Sequence, residues 1–515
     1  MKLTLKSNIL KLALFATGLS GIVAEYILAT LASFFISDSA TQWTLIISTM
    51  LFSMGLGSRL SKYIEGNLLQ KFIIIEFLLS ILTAYSSLIA YTASAYTIYT
   101  GAIIYGLAIL IGLLIGIEIP MVIRLNQAFQ ELKVNVSGIL EQDYYGSLAG
   151  GIFFAFVGLP VLGLTYTPFV LGFVNFSVAI ILYFILYPKL VGGSRTSLTV
   201  FTGGILVVLI AGFFLAEPII FYGEQRRYKD KIIFEEQSRF QKIVITQWKD
   251  DYWLYINHNQ QLSTIDEVLY HEPLVHPAMT LLKEPTDVLV MGGGDGCAVR
   301  EILKYPSVKN ITVVDLDPAM TDLGQSHPVM VNMNHNALNH EKVTIINQDG
   351  FNFLANHDKF YDAIIIDLPD PKSIDLGRLY SYEFYQMVNR KLRSHGVVIT
   401  QAGSPYYATK AFLCVDKTLQ AAGFTTAQMH NQIVTMGEWG WIIEVKAERE
   451  VNLKSTLRQL TFDHVKTEWL NHEAMQLMTS FGKTIYTQPV DSVEVNKVHE
   501  PVLYRYYLNG NWDLY

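Results

Sequence analysis

Cysteine is nearly missing from this chain: Cys297 and Cys414 are the only two in 515 residues. That is too few for a disulfide framework, and it suits a reducing compartment. Charge is scarce too, at 16% of residues against about 25% in ordinary soluble domains. Basic residues are not in excess, since 38 Lys and Arg against 45 Asp and Glu leave a formal net charge of -7. The balance excludes the broad basic surface of a nucleic-acid binder and is compatible with a cationic ligand. A cleavable leader is not expected either, because the first apolar stretch is longer than a signal-peptide core and further long stretches follow it.

What is abundant is apolar surface. Hydrophobic residues make up 51% of the chain, and the mean hydropathy is positive. Near residues 8–36, 42–60, 71–93, 98–124, 144–165, 167–187 and 198–217, apolar stretches approach the roughly 20 residues that a helix needs to cross a bilayer. About seven spans are therefore expected in residues 1–217. Lys and Arg mark several joints, so the positive-inside bias does not settle orientation, and seven spans from an inner N-terminus would leave the second half outside. Glu25, Glu76 and Glu118 interrupt the apolar stretches; such acids are candidates to line a route for a polycation, or to hydrogen-bond within the bundle. Gly112, Gly116, Gly146, Gly150 and Gly151 are expected to let helices approach closely.

Composition turns mixed and charged after Pro218. Residues 231–247 and 252–256 alternate apolar and polar positions as half-buried strands do, and 265–282 has helical spacing. From Asp287 the order is strand (288–291), glycine loop (292–296), helix (298–304) and strand (311–314), with further strands at 343–346, 363–366 and 397–400. This order predicts a doubly wound α/β domain with a parallel sheet. Ligands of such sheets bind at the carboxyl ends of the strands, where Gly292 to Gly296, Asp315, Asp349 and Asp367 to Asp370 fall.

Gly292-Gly293-Gly294-Asp295-Gly296 lets backbone approach a nucleoside, and Asp315 follows about twenty residues later, where an acid can bond ribose hydroxyls. Cys297 stands where a dinucleotide fingerprint would have its third glycine, which favours an adenosyl-sulfonium ligand over a nicotinamide. Asp295 then separates two sulfonium users. A methyltransferase must accept the carboxylate of methionine, which an acid in this loop repels, whereas a decarboxylated donor presents only an ammonium. An acid there also has a structural use, as cap of the next helix.

The run Val288-Leu289-Val290-Met291-Gly292-Gly293-Gly294-Asp295-Gly296, with Arg300-Glu301, Val314-Asp315-Leu316-Asp317 and Asp367-Leu368-Pro369-Asp370-Pro371, resembles the spermidine synthase family. Phe240-Gln241-Lys242, Gln261-Leu262-Ser263, Asp266-Glu267 and Tyr270-His271-Glu272 agree with it, over roughly residues 224–445. The tail from Pro501 to Tyr507 resembles that of family forms with an attached multi-span membrane segment. The resemblance implies a multi-span α-helical membrane domain (1–217), a linker and small β-sheet domain (218–282), a Rossmann-like aminopropyltransferase domain (283–450) and a C-terminal extension (451–515). It also implies aminopropyl transfer from decarboxylated S-adenosylmethionine to putrescine or a related polyamine, giving spermidine and methylthioadenosine.

By the same resemblance Gln241, Asp315, Asp349, Gly350, Gly292 and Gly294 bind the donor or methylthioadenosine. His271, Asp295 and Asp367 hold the aminopropyl or polyamine amines, and Asp370 is the proton acceptor with Tyr270 beside it. The chemistry calls for no metal and no cofactor beyond the donor co-substrate. A protonated alkylamine, with a pKa of about 10.4, is no nucleophile until a base takes its proton. Expected partners are the polyamine, the donor and a lipid bilayer, with a homo-oligomer compatible and the catalytic domain on the cytoplasmic side. Two departures stand out: the late tyrosine of soluble family members is absent from Thr435-Met436-Gly437-Glu438-Trp439-Gly440-Trp441, and residues 372–378 lack the usual glycine and proline pattern. The rival readings are an S-adenosylmethionine-dependent methyltransferase and a membrane polyamine transporter or sensor with a non-catalytic binding domain.

Overall fold

The computed structural model describes residues 3–36, 39–186, 196–446, 452–482 and 492–512. It divides into two compact units, Met1–Asp230 and Lys231–Tyr515.

The first unit is built from long helices: α1 (Leu3–Phe35), α2 (Ser39–Leu60), α3 (Leu68–Tyr96), α4 (Thr100–Asn126), α5 (Leu132–Phe153), α6 (Gly163–Ile181) and α7 (Thr196–Gln225). Helix α1 packs on α5, α2 on α4, and α3 on α6. Small residues set those approaches: a Cβ on Gly146 would come within 2.0 Å of the Phe15 carbonyl oxygen, and one on Gly116 within 2.1 Å of that of Met54. Gly151 does not share this role, since its Cβ would meet only the Tyr26 ring, at 3.8 Å. Helix α5 runs on into a π-helical stretch (Phe154–Leu162) containing Pro160, and the run breaks at Gly163, whose φ is +63°. Five stretches are long and apolar enough to cross a membrane, among them the 55-residue Leu132–Leu186, which takes in two of the spans expected from sequence. Helix α2, which covers the expected span at 42–60, is not one of the five; its serines, threonines, Gln42 and Arg59 dilute its apolar character. Glu76 and Glu118 are wholly buried and Glu25 nearly so, with the Thr17 hydroxyl donating to Glu76 Oε1 at 3.4 Å.

The second unit begins with a four-stranded antiparallel sheet, β1 (Lys231–Gln237), β2 (Lys242–Trp248), β3 (Asp251–Ile256) and β4 (Asn259–Ser263). The expected helix at 265–282 is α8 (Val268–Thr280), buried from Tyr270 to Met279. A seven-stranded sheet follows in the order β10-β11-β9-β8-β5-β6-β7. Its parallel strands are β5 (Asp287–Gly292), β6 (Asn310–Asp315), β7 (Val343–Asn347), β8 (Tyr361–Asp367) and β9 (Leu392–Gly403). Strands β10 (Phe424–Ile433) and β11 (Gly437–Lys446) add an antiparallel hairpin beside β9. The parallel pairing expected from sequence holds for β5 to β9, and the hairpin makes the sheet as a whole a mixed one. Helical crossovers force parallel pairing, but only three residues separate β10 from β11, and so short a joint permits only an antiparallel return.

Strand β5 is buried along its whole length, as a central strand covered on both faces must be. It pairs with β6 on one side and with β8 on the other. The strand order therefore reverses beside β5, and a crevice opens there at the carboxyl ends. Apolar clusters fill both faces, one around Val290, Ile365 and Trp441 and the other around Leu289, Ile366 and Phe384.

Candidate active site

The glycine loop leaves β5 in a backbone form that only glycine takes easily, with φ of +81° at Gly292, +66° at Gly293 and +84° at Gly296. A Cβ on Gly292 would strike the Asp367 carbonyl oxygen at 2.0 Å. The loop thus lies directly against the end of β8, where Gly292 is in register with Asp367.

Asp315 ends β6, and its carboxylate accepts the N–H groups of Gly294 at 3.2 Å and Asp317 at 2.9 Å. Burial pushes its pKa up to about 6 in spite of those two bonds. Asp317 Oδ2 accepts the Ser238 hydroxyl at 2.6 Å, and the Ser238 backbone N–H donates to the Gln241 carbonyl oxygen at 2.9 Å. Gln241 therefore lies in the turn before β2, tied to the Asp315 loop by the small sheet. Asp349 caps the helix α9 (Gly350–Asn356) through the N–H of Asn352 at 3.0 Å and pairs with Arg378. Asp349 is thus the N-cap of that helix, and Gly350 is its first residue.

Asp295 Oδ1 accepts the Cys297 N–H at 2.7 Å, the N-cap position of the next helix itself being taken by Gly296, and His271 Nε2 lies 3.8 Å from the same oxygen. His271 Nδ1 is 2.7 Å from Glu267 Oε2. Arg300 grips the same Glu267 carboxylate with two nitrogens at 2.7 and 2.9 Å. Burial by itself would lower the His271 pKa, but Glu267, Asp295 and Asp367 outweigh it and raise it to about 9. Burial likewise opposes the charge on Glu267, and His271 and Arg300 hold it at about 2. His271 Nε2 and the Asp295 and Asp367 carboxylates approach within 4.8 Å of one another, a spacing that could hold a metal ion. An imidazolium has no lone pair to ligate one at neutral pH.

Asp367 accepts the Tyr270 hydroxyl at 2.7 Å. Burial first, and then the charge of Asp295, push the Asp367 pKa up to about 6. The Tyr270 ring packs edge-on against Trp441 at 5.3 Å. Asp370 follows in the loop after β8; its Oδ2 accepts the Tyr507 hydroxyl at 2.7 Å, and Lys372 Nζ lies 3.7 Å from the same oxygen. Asp370 Oδ1 is buried and has no hydrogen-bond partner among the described residues. The loop itself is fixed by Tyr380 and Gln401, which both donate to the Leu368 carbonyl oxygen, at 3.0 and 2.6 Å.

Of the residues singled out in the sequence, Gly292, Gly294, Asp295, Asp315, Asp367, Asp370, Tyr270 and His271 meet around the crevice between β5 and β8. Gln241, Asp349 and Gly350 lie on the elements bordering it. Trp439 is on a strand, not in a loop; it is 7% exposed, and its indole N–H donates to Gln401 Oε1 at 3.3 Å. Sequence reasoning had no role for Tyr507, Tyr380, Gln401 or Glu267. Glu267 could have been marked by its i,i+4 spacing to His271, but Tyr507 lies 137 residues from its partner.

The arrangement gathers four carboxylates, with Asp315 and Asp367 at the ends of β6 and β8 and Asp295 and Asp370 in the loops that follow β5 and β8. It suits a cationic sulfonium ligand and an amine that must give up a proton. Residues 267–455 match the model of the spermine/spermidine synthase domain. Polyamine aminopropyltransferase 2 of Aquifex aeolicus (strain VF5) is 40% identical over 506 residues, 97% of this chain and 98% of that protein. The polyamine aminopropyltransferase of Leptospira interrogans serogroup Icterohaemorrhagiae is 36% identical over 490 residues, 95% of each. A crystal structure of spermidine synthase with the transition-state analogue AdoDATO is similar over 50% of this chain and 87% of that one, at 23% identity and a TM-score of 0.45. The two polyamine aminopropyltransferases, each similar over nearly the whole chain, disfavour the methyltransferase and transporter readings.

Proposed function

This chain belongs to the spermidine synthase family and is a polyamine aminopropyltransferase, and from that premise we propose that it moves the aminopropyl group of decarboxylated S-adenosylmethionine onto putrescine or a related polyamine. Asp370 accepts the proton, and spermidine and methylthioadenosine are the products. The observation that carries this reading is the state of Asp370, with Oδ2 held by Tyr507 and Oδ1 buried and, among the described residues, without a hydrogen-bond partner.

The adenosine lies against the glycine loop, with Asp315 on its ribose and Asp349, Gly350 and Gln241 at its border. Asp295 faces the aminopropyl ammonium; Asp367, ordered by Tyr270 and His271, draws in the diamine. A carboxylate beside the attacking ammonium removes its proton, the freed amine attacks the methylene next to the sulfonium, and neutral methylthioadenosine leaves. The rate gain comes chiefly from aligning two bound substrates in a negatively charged cleft. No metal, and no cofactor besides the donor, takes part.

The five apolar stretches support a membrane-embedded first unit, and the reaction's need for a cytosolic donor assigns the catalytic unit to the cytoplasmic side. The deciding assay offers the purified full chain putrescine with either donor. Methylthioadenosine release from the decarboxylated donor alone is the expected result. Methyl transfer from the full donor, or binding without product, would overturn the reading.

A further inference from the structure

Tyr507 is carried by the short helix α10 (Leu503–Leu508), more than a hundred residues beyond the loop of Asp370, and its hydroxyl meets Asp370 Oδ2 at 2.7 Å. The approach is built, not incidental. Asn496 Nδ2 donates to the Gly377 and Tyr380 carbonyl oxygens at 2.8 and 3.2 Å, just downstream of Asp370. Its Oδ1 accepts the Val502 and Leu503 N–H groups at 3.2 and 3.3 Å, at the start of α10. One buried side chain therefore fixes the helix and the catalytic loop to each other. The Tyr507 ring is 4% exposed and lies against Trp512, with centroids 4.6 Å apart. A Cβ on Gly403, at the end of β9, would stand 4.0 Å from Asp370 Oδ1 and 3.6 Å from the Tyr507 ring. Glycine at that position keeps the space beside the unpartnered oxygen free of a side chain.

Nearby groups do not duplicate the contact. The Trp439 N–H is committed to Gln401, the Tyr380 hydroxyl donates to backbone carbonyls, and the Tyr270 hydroxyl to Asp367. Lys372 Nζ reaches Asp370 Oδ2 only at 3.7 Å and donates to Asn259 Oδ1 at 2.7 Å.

We propose that Tyr507 is the positioning residue of the proton acceptor: its hydroxyl holds Asp370 Oδ2 so that Oδ1 faces the attacking amine, and the C-terminal segment thereby completes the catalytic centre. The inference rests on Asp370 as base. It assigns the tail a part in the reaction itself and not only in packing.

A double-mutant cycle on the full chain decides it, with Tyr507→Phe, Asp370→Asn and the double variant assayed by methylthioadenosine release. Phenylalanine keeps the ring packing and removes only the donor. The expected result is a kcat about ten- to hundredfold lower for Tyr507→Phe. Donor KM and methylthioadenosine affinity should stay within about twofold, and Asp370→Asn should lose less than about twofold more when Tyr507→Phe is added. A Tyr507→Phe variant with native kcat, an equal fractional loss in both backgrounds, or a matching loss of methylthioadenosine binding would overturn the inference while leaving Asp370 as base. Native kcat in Asp370→Asn alone would overturn the base assignment, and the inference with it.

Discussion

Asp295 has one oxygen occupied by the Cys297 N–H, so asparagine at this position keeps that hydrogen bond and removes only the charge. If the charge pairs with the aminopropyl ammonium, Asp295→Asn weakens the decarboxylated donor by about tenfold to hundredfold, the worth of a hydrogen bond to a charged group. Methylthioadenosine, which lacks that amine, should bind nearly as before. Titration calorimetry with both ligands checks this, and equal weakening would reduce Asp295 to a holder of the loop. His271 makes a second residue-scale prediction through pH. Its pKa is raised from 6.5 to about 9, so the stability it contributes is fully present below pH 6.5 and is lost as pH rises through about 9. The step corresponds to on the order of 3 kcal/mol. The stability gap between the native chain and His271→Gln should thus narrow between pH 6 and pH 9.5 in denaturant titrations; a gap that holds constant would mean that His271 is neutral when folded.

Among the elements, the C-terminal segment and the β10–β11 hairpin do what the parallel strands cannot. The strands deliver Asp315 and Asp367 to one edge, because residues at parallel strand ends share that edge. The hairpin packs Trp441 against Tyr270, and the turn between its strands is pinned by Thr435, whose N–H and hydroxyl both donate to Asp266, at 2.7 and 2.8 Å. The tail closes the other side through Asn496. Asn496→Ala would strand two buried carbonyl oxygens and two N–H groups, costing at least about 2 kcal/mol of stability. It should also lower kcat by freeing α10 while Asp370 stays intact. Urea unfolding and steady-state rates measured on the same preparation test both halves, and full activity in a destabilised variant would uncouple the tail from the chemistry.

At the scale of the whole molecule, the catalytic unit has its own apolar clusters and its own sheets, and the boundary falls at Lys231. A chain beginning at Lys231 is accordingly expected to be soluble and to bind methylthioadenosine with near-native affinity, because a unit with its own core folds by itself. A folded fragment that no longer binds would place part of the site in the helical unit. Glu76 and Glu118, wholly buried there, were visible in the sequence as acids inside apolar stretches, but only the packing of α3 and α4 turned them into interior residues.

Sequence by itself determined whatever depends on local periodicity and spacing. The apolar stretches, the strand-loop-helix order from Asp287, the glycines at 292–296 and the acids at the strand ends all follow from repeats a few residues long, and parallel pairing then sets those acids side by side. Tertiary structure alone decided the contacts between distant segments. Tyr507 reaches Asp370 across 137 residues, and Gln401 meets Leu368 across 33, through loops whose course no period encodes. It also set the upward pKa shift of His271, which comes from Glu267, Asp295 and Asp367 brought around a buried ring. Whether an acid before a helix becomes its N-cap, as Asp349 does, or only bonds its first N–H from outside, as Asp295 does, is set by backbone geometry that identical residues need not share.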